Sequence, residues 1–166
     1  MEYSFDFSEQ ILKAANLLGQ HHNGENETAR AVVYQSCLSM EIAMKCLLEH
    51  AGQSPKEIRK YNHKIMKLLK AVDSLHKNGE KLEPWDTLWS EAVDLTLQNG
   101  SVGLLLTEAA KGSIYPNEMR YGSQMQCIEP YLVLKTARIV LIWCKYNTSK
   151  LVYVPPIVTS TLSKNP

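Results

Sequence analysis

The stretch that decides the fold runs from Thr28 to His50 and reads TARAVVYQSCLSMEIAMKCLLEH. It contains neither Pro nor Gly, and its apolar residues point in nearly every direction around a helix axis. A long helix that is apolar all round is typical of the buried centre of a helical protein. We therefore predict that this segment is the central helix, that Gly52 ends it, and that Pro55 opens a short turn.

Patterns on either side of this segment predict the helices that cover it. Ser8 is the predicted cap of a first helix, which carries apolar residues at helical spacing and stops at Gly19. The polar residues 20–27 form a predicted loop. After the central helix, Asn62 is the predicted cap of another amphipathic helix, which ends near residues 78–79.

The second half of the chain is predicted to add more helices. Pro84 suits the first turn of one helix, and a last helix spans about Met125 to Tyr146 with Pro130 near its start. Residues 99–110 favour a short helix over a buried extended piece. Antiparallel neighbours joined by short loops form an up-and-down bundle, so the predicted fold is all-α with four to five helices.

The end of the chain differs in composition from the predicted bundle of residues 1–146. From Leu151 the residues are β-branched and include the pair Pro155 and Pro156, which disfavours helix. Residues 147–166 are therefore predicted as an extended C-terminal arm or tail. Residues 151–162 could lie over the domain, bind a protein partner as a strand, or stay mobile.

Composition and charge place the chain among ordinary globular proteins. Its 166 residues are 45% hydrophobic and 21% charged, which suits a single domain with its own core. The formal net charge of +1 gives no overall field that would attract nucleic acid, although the sequence still allows a local basic patch.

Cysteine usage and the chain start favour a cytoplasmic location. The four cysteines are far apart in apolar stretches, as expected of small core residues in a reducing compartment: Cys37, Cys46, Cys127 and Cys144. The first residues have no basic and apolar signal pattern. The most apolar late stretch, 131–146, is interrupted by Lys135 and Arg138, so we predict no membrane segment.

Two helical motifs and a later loop resemble a known family. The central helix reads Ser39-Met-Glu-Ile-Ala-Met-Lys-Cys-Leu-Leu-Glu-His-Ala-Gly, and His63-Lys-Ile-Met-Lys-Leu-Leu follows eleven residues on. This pairing resembles the higher eukaryotes and prokaryotes nucleotide-binding (HEPN) family, as does the loop Tyr115-Pro-Asn-Glu-Met-Arg-Tyr. The resemblance covers roughly residues 8–146. It implies a helical bundle, often homodimeric, found in toxin–antitoxin, defence and RNA-processing systems and in noncatalytic accessory domains.

The resemblance departs from the family at its nuclease motif. Active members carry an Arg followed, after four to six spacer residues, by a His near the last helix. Arg120 stands at the place of that Arg, but 125–127 are Met, Gln and Cys, and no His follows His76. Cleavage through the RNA 2′-hydroxyl needs an acid and a base, a role for which His is suited. We therefore favour a protein that is not an enzyme.

Six residues are candidates for a ligand site: Glu41, Lys45, His63, Tyr115, Arg120 and Tyr121. The i,i+4 pair of Glu41 and Lys45 is either a solvated or half-buried ion pair or the charged floor of a cleft. His63 suits a structural place at a helix start. The Arg120 guanidinium could hold a phosphate beside stacking tyrosines, or stay in solvent.

A basic stretch surrounds His63 in the sequence: Lys56, Arg59, Lys60, Lys64, Lys67 and Lys70. Such a stretch either follows an RNA backbone or forms an ordinary solvated face. Without a helical HxxxH pattern or a Cys/His cluster, we predict no metal and no cofactor.

Three functions follow from these observations. The first is a noncatalytic HEPN-like binding and dimerisation module, for RNA or a nucleotide, in a defence or toxin–antitoxin-like setting. The second is a divergent metal-independent endoribonuclease that uses Arg120, Tyr121, His63 and Glu41. The third is a structural bundle that engages a protein partner through its C-terminal arm. A homodimer is expected.

Overall fold

The computed structural model describes residues 1–21, 25–77, 80–81, 115–116 and 130–148. Within these ranges the chain forms five helices: α1 Phe5–Gln20, α2 Asn26–His50, α3 Pro55–Arg59, α4 Ile65–Asp73 and α5 Pro130–Thr148. Two short strands, β1 His76–Lys77 and β2 Glu80–Lys81, pair antiparallel with His76 opposite Lys81. The all-α class is confirmed. The helix predicted from Pro84, the segment 99–110 and residues 149–166 lie outside the described ranges.

Helix α2 is the centre of the fold, and α1, α4 and α5 pack against it. Its residues from 39 to 48 are all buried, which agrees with an apolar pattern that continues around the helix. Around α2 the core is closed by large buried side chains from the neighbouring elements, among them Ile58, Leu68, Val140 and Trp143.

Helix α1 starts earlier than predicted. Its cap is Ser4, whose hydroxyl accepts the Phe7 N–H, and the predicted cap Ser8 lies inside the helix, fully buried. The Ser8 hydroxyl donates to the Ser39 carbonyl at 2.8 Å, and the Ser39 hydroxyl donates to the Ser8 carbonyl at 2.9 Å. Ser8 therefore joins α1 to α2 and does not cap the start of α1.

The connection from α2 to α4 contains a helix where only a turn was predicted. Ser54 and Glu57 form a capping box at the start of α3, with Pro55 at its first position. Asn62 is not a cap: it has φ 52°, in the left-handed region that Asn tolerates. Helix α4 starts at Ile65 and ends at Asp73, short of the predicted end, and β1 follows.

The structure describes helix α5 from Pro130 onward, and the predicted start at Met125 lies outside the described residues. It continues to Thr148, two residues past the predicted boundary at 146. Asn147 belongs to the packed helix, since it is fully buried and its side-chain N–H donates to the Trp143 carbonyl.

Helix α2 is also long and apolar enough to cross a bilayer, judged by length and composition alone. Its most apolar window has a mean hydropathy of 1.3, and 78% of that window is buried inside the fold. The buried core helix of a globular protein has the same properties.

Candidate functional site

Glu41 and Lys45 lie one turn apart near the middle of α2 and form an ion pair. The Lys45 Nζ donates to Glu41 Oε1 at 2.7 Å. Both side chains are nearly enclosed, with 3% of Glu41 and 6% of Lys45 exposed. The pair is therefore buried and not solvated or half-buried, which was one of the two interpretations that the sequence left open; the charged floor of a cleft stays a prediction. Removing two charges from water costs free energy that a buried pair recovers only with further hydrogen bonds.

One of those further bonds comes from the turn before α4. The His63 Nδ1 lies 3.0 Å from both oxygens of the Glu41 carboxylate. Because a carboxylate accepts, Nδ1 carries the proton and donates, which leaves Nε2 as the ring nitrogen for another partner. The imidazole is 52% exposed on its other side. His63 thus connects the buried carboxylate to the protein surface.

The third donor is Tyr115, from a segment far along the chain. Its hydroxyl donates to Glu41 Oε2 at 2.6 Å. The ring lies 5.7 Å from the Tyr34 ring and meets the His63 ring edge-on at 6.2 Å. Burial, and then the Glu41 charge and hydrogen bond, raise the pKa of Tyr115 far above its ordinary value. The phenol is therefore a fixed donor and holds its proton.

These contacts bring four of the six predicted site residues together, with three of them bonded to the carboxylate of the fourth, Glu41. We call Glu41, Lys45, His63 and Tyr115 the Glu41 cluster. Its members come from α2, the turn before α4 and the segment at 115–116, so helical spacing explains only the Glu41 to Lys45 contact. Arg120 and Tyr121 lie outside the described residues.

Cys37 lies one turn before Glu41 on α2 and is fully buried. Burial, with a smaller effect from the Glu41 charge, raises the pKa of the Cys37 thiol to about 12. A thiol with so high a pKa is protonated near neutral pH and is a poor nucleophile. Cys37 therefore serves the core beside the cluster and adds no chemistry to it.

The N-terminal segment covers the cluster on the Lys45 side, which the sequence did not suggest. The Lys45 Nζ lies 5.5 Å from the centre of the Tyr3 ring, within cation–π range. The Glu49 carboxylate accepts the backbone N–H groups of Glu2 and Tyr3 at 2.8 to 3.0 Å. Arg59 in turn holds the Glu2 carboxylate, with Nη2 to Oε2 at 2.6 Å. No local motif marks a contact between residues 42 positions apart.

The predicted basic stretch lies on the surface beside His63. All six of its residues are exposed: Lys56, Arg59, Lys60, Lys64, Lys67 and Lys70. Arg59 is already occupied by Glu2. Lys60 and Lys64 flank the half-exposed imidazole in the chain, and both are exposed. We call Lys60, His63 and Lys64 the basic rim.

No protein-family model, no curated protein and no solved structure matches this chain. Membership of the HEPN family therefore stays a prediction. Among the described residues, no three His, Cys, Asp or Glu side chains come together in a way that could hold a metal ion.

Proposed function

We propose that the chain is a noncatalytic HEPN-like module that binds RNA or a nucleotide through phosphate groups, as a homodimer, in a defence or toxin–antitoxin-like system. The observation that carries the proposal is the convergence of Lys45, His63 and Tyr115 on the Glu41 carboxylate. These residues belong to the three segments that resemble the family. Their meeting in space supports the view that the resemblance marks one site and not three chance matches.

The chemistry of the cluster suits an anion at its exposed side. The Glu41 carboxylate fixes the orientation of the His63 imidazole through Nδ1 and leaves Nε2 at the exposed side. The exposed Lys60 and Lys64, which flank His63 in the chain, would attract a phosphodiester and release counterions, and the His63 ring would contact it. In this proposal Arg120 adds a bidentate phosphate contact and Tyr121 a ring for base stacking.

The test is binding of a short fluorescein-labelled single-stranded RNA and of ATP, at about 50 and about 200 mM salt. Fluorescence anisotropy follows the RNA directly, and ATP is measured by competition. We expect binding that weakens with salt. The Lys60→Ala, Lys64→Ala double variant should lower the salt slope by about 0.7 for each lost phosphate contact.

Two further variants decide whether the site is the one proposed. Arg120→Ala should weaken RNA binding, whereas Lys13→Ala, which removes an exposed lysine from α1, should leave it unchanged. If the Lys13 variant and the Lys60/Lys64 variant lose RNA binding equally, the RNA is attracted by positive charge in general and not by the proposed site. Absence of salt-sensitive binding to both probes would overturn the proposal.

A divergent metal-independent endoribonuclease is the second candidate, because His63 and Glu41 form a carboxylate–imidazole pair with one ring nitrogen left to act. An imidazole held in this way can accept a proton from a 2′-hydroxyl. The assay is cleavage of RNA in the presence of a chelator. Cutting that is lost in both His63→Gln and Arg120→Ala would favour this candidate, and intact RNA at high protein concentration would reject it.

A further inference from the structure

A groove of about 970 Å³ lies between α1 and α5, away from the Glu41 cluster. Its lining on α5 repeats every three to four residues from Tyr131 through Arg138 to Lys145, along one face of the helix. At a rise of 1.5 Å per residue this face is roughly 21 Å long. On α1 the lining runs from Glu9 to Leu17. Two parallel rows of this kind leave a trough that accepts another helix.

The floor of the groove is apolar and partly open to solvent. Leu12 and Leu134 lie in it, together with three exposed apolar side chains: Leu17 at 57%, Tyr131 at 63% and Ile142 at 50% exposure. A concave apolar surface with a polar border is typical of a binding groove. The floor therefore needs an occupant with apolar side chains at helical spacing.

The border of the groove is positively charged. It carries four cationic side chains, Lys13, Lys135, Arg138 and Lys145, against the single carboxylate of Glu9, for a net charge of +3. The Glu9 carboxylate forms ion pairs with two of them, at 3.3 Å from the Lys13 Nζ and 2.6 Å from the Lys145 Nζ. In the part of the chain that the structure describes, neither Lys135 nor Arg138 has a carboxylate partner.

We propose that this groove binds an acidic amphipathic helix of another protein. The occupant places apolar residues at i, i+3, i+4 and i+7 on the floor, and its Asp or Glu residues meet Lys135 and Arg138. A second copy of the chain would bring the same positive border against this one, and like charges repel. A nucleic acid would satisfy the charges but would leave the apolar floor without a partner.

The probe is a fluorescein-labelled peptide of about 14 residues, long enough to follow the α5 face. It has Leu at the four floor positions and Glu at the flanking ones. One control peptide has the same composition with the Leu positions scrambled, and another has Lys in place of Glu. We expect the patterned acidic peptide to bind at least about tenfold more tightly than either control.

Variants of the full chain place the peptide in the groove. Ile142→Asp should weaken binding about tenfold, as expected when a central apolar contact is lost, and Arg138→Glu should weaken it further at low salt. Lys70→Glu, on α4, is the matched control and should have no effect. Because Ile142 is half exposed, the fold should tolerate Asp there, and circular dichroism checks this; Leu17→Asp is the second floor variant.

Several outcomes would overturn the proposal. One is equal binding of the patterned and scrambled peptides, and another is binding that survives both floor variants. A dimer that dissociates in Ile142→Asp would assign the groove to a second copy instead. RNA binding that is lost in Arg138→Glu but kept in the Lys60→Ala, Lys64→Ala variant would assign it to nucleic acid.

Discussion

Glu41 is the residue on which the candidate site depends, because a single buried carboxylate accepts from Lys45, His63 and Tyr115. We predict that Glu41→Ala destabilises the fold by about 3 to 5 kcal/mol, since it leaves the Lys45 charge buried without a partner. Urea unfolding followed by circular dichroism measures the change.

A double variant separates the charge effect from loss of packing. Glu41→Leu combined with Lys45→Met removes both charges while keeping similar volumes, and should recover the part of the lost stability that is due to the unpaired Lys45 charge. The Tyr115 hydroxyl and His63 Nδ1 still lose their acceptor, so recovery should be incomplete. A double variant no more stable than Glu41→Ala would show that the pair itself, and not the orphaned charge, stabilises the fold.

Tyr115 gives a prediction with a pH dependence. Tyr115→Phe removes one donor to a charged acceptor and should cost about 1.5 to 3 kcal/mol at neutral pH. The folded-state pKa of Tyr115 is raised above its ordinary value of 10.0, chiefly by burial. Stability from this group is therefore complete below pH 10.0 and decreases as the pH rises above it, because the unfolded phenol loses its proton first.

The measurement is the free energy of unfolding at neutral pH and above pH 10.0 for both proteins. The wild type should lose more stability than Tyr115→Phe over this interval. Tyr131→Phe, at an exposed tyrosine of α5, is the matched control and should follow the wild type. Parallel curves for wild type and Tyr115→Phe would contradict the raised pKa of Tyr115, and with it the burial of the phenol beside Glu41.

At this scale the sequence allowed the members of the Glu41 cluster to be chosen, but not their geometry. Glu41 and Lys45 are related by helical spacing, and His63 and Tyr115 were chosen through the family resemblance. Tyr3 was missed because its contact with Lys45 depends on how the first residues cross α2. Only tertiary packing determines that path.

At the scale of elements, the reciprocal hydrogen bonds between Ser8 and Ser39 fix α1 against α2. Each hydroxyl is buried, so removing one leaves the other carbonyl and hydroxyl less satisfied. We predict that Ser8→Ala and Ser39→Ala each cost about 1 to 3 kcal/mol. The double variant should cost less than the sum, and a thermodynamic cycle from urea unfolding measures the coupling. Additive losses would show that the two residues act separately.

The long helices could be predicted from the apolar spacing in the sequence, whereas their capping residues and exact ends were predicted less accurately. The pattern of α2 is so apolar that no other position in the bundle suits it. Ser8 was predicted as the cap of α1, but it is buried against α2, and Ser4 caps the helix instead. The apolar spacing that predicted a longer α4 includes Leu75, which does pack on the core but from the segment after the helix. The apolar spacing therefore continues past Asp73, although the backbone there is no longer helical.

For the whole molecule, we predict a homodimer with about twice the chain mass of 18.8 kDa, as measured by light scattering after size exclusion. If the positive groove between α1 and α5 binds an acidic partner, the dimer should persist in Arg138→Glu and Ile142→Asp. A monomer at all concentrations would contradict the prediction and weaken the family assignment.

The three donors to Glu41 are separated from it by 4, 22 and 74 residues along the chain. The entropy lost on closing a loop increases with its length, so we expect the contacts to form in that order during folding. Lys45 is in place once α2 exists, and Tyr115 arrives last. A ligand that needs the complete cluster would bind only the fully folded chain and would stabilise it by mass action. Ligand binding would then measure the fraction of fully folded protein, and a truncated chain that ends before Tyr115 would not bind the ligand.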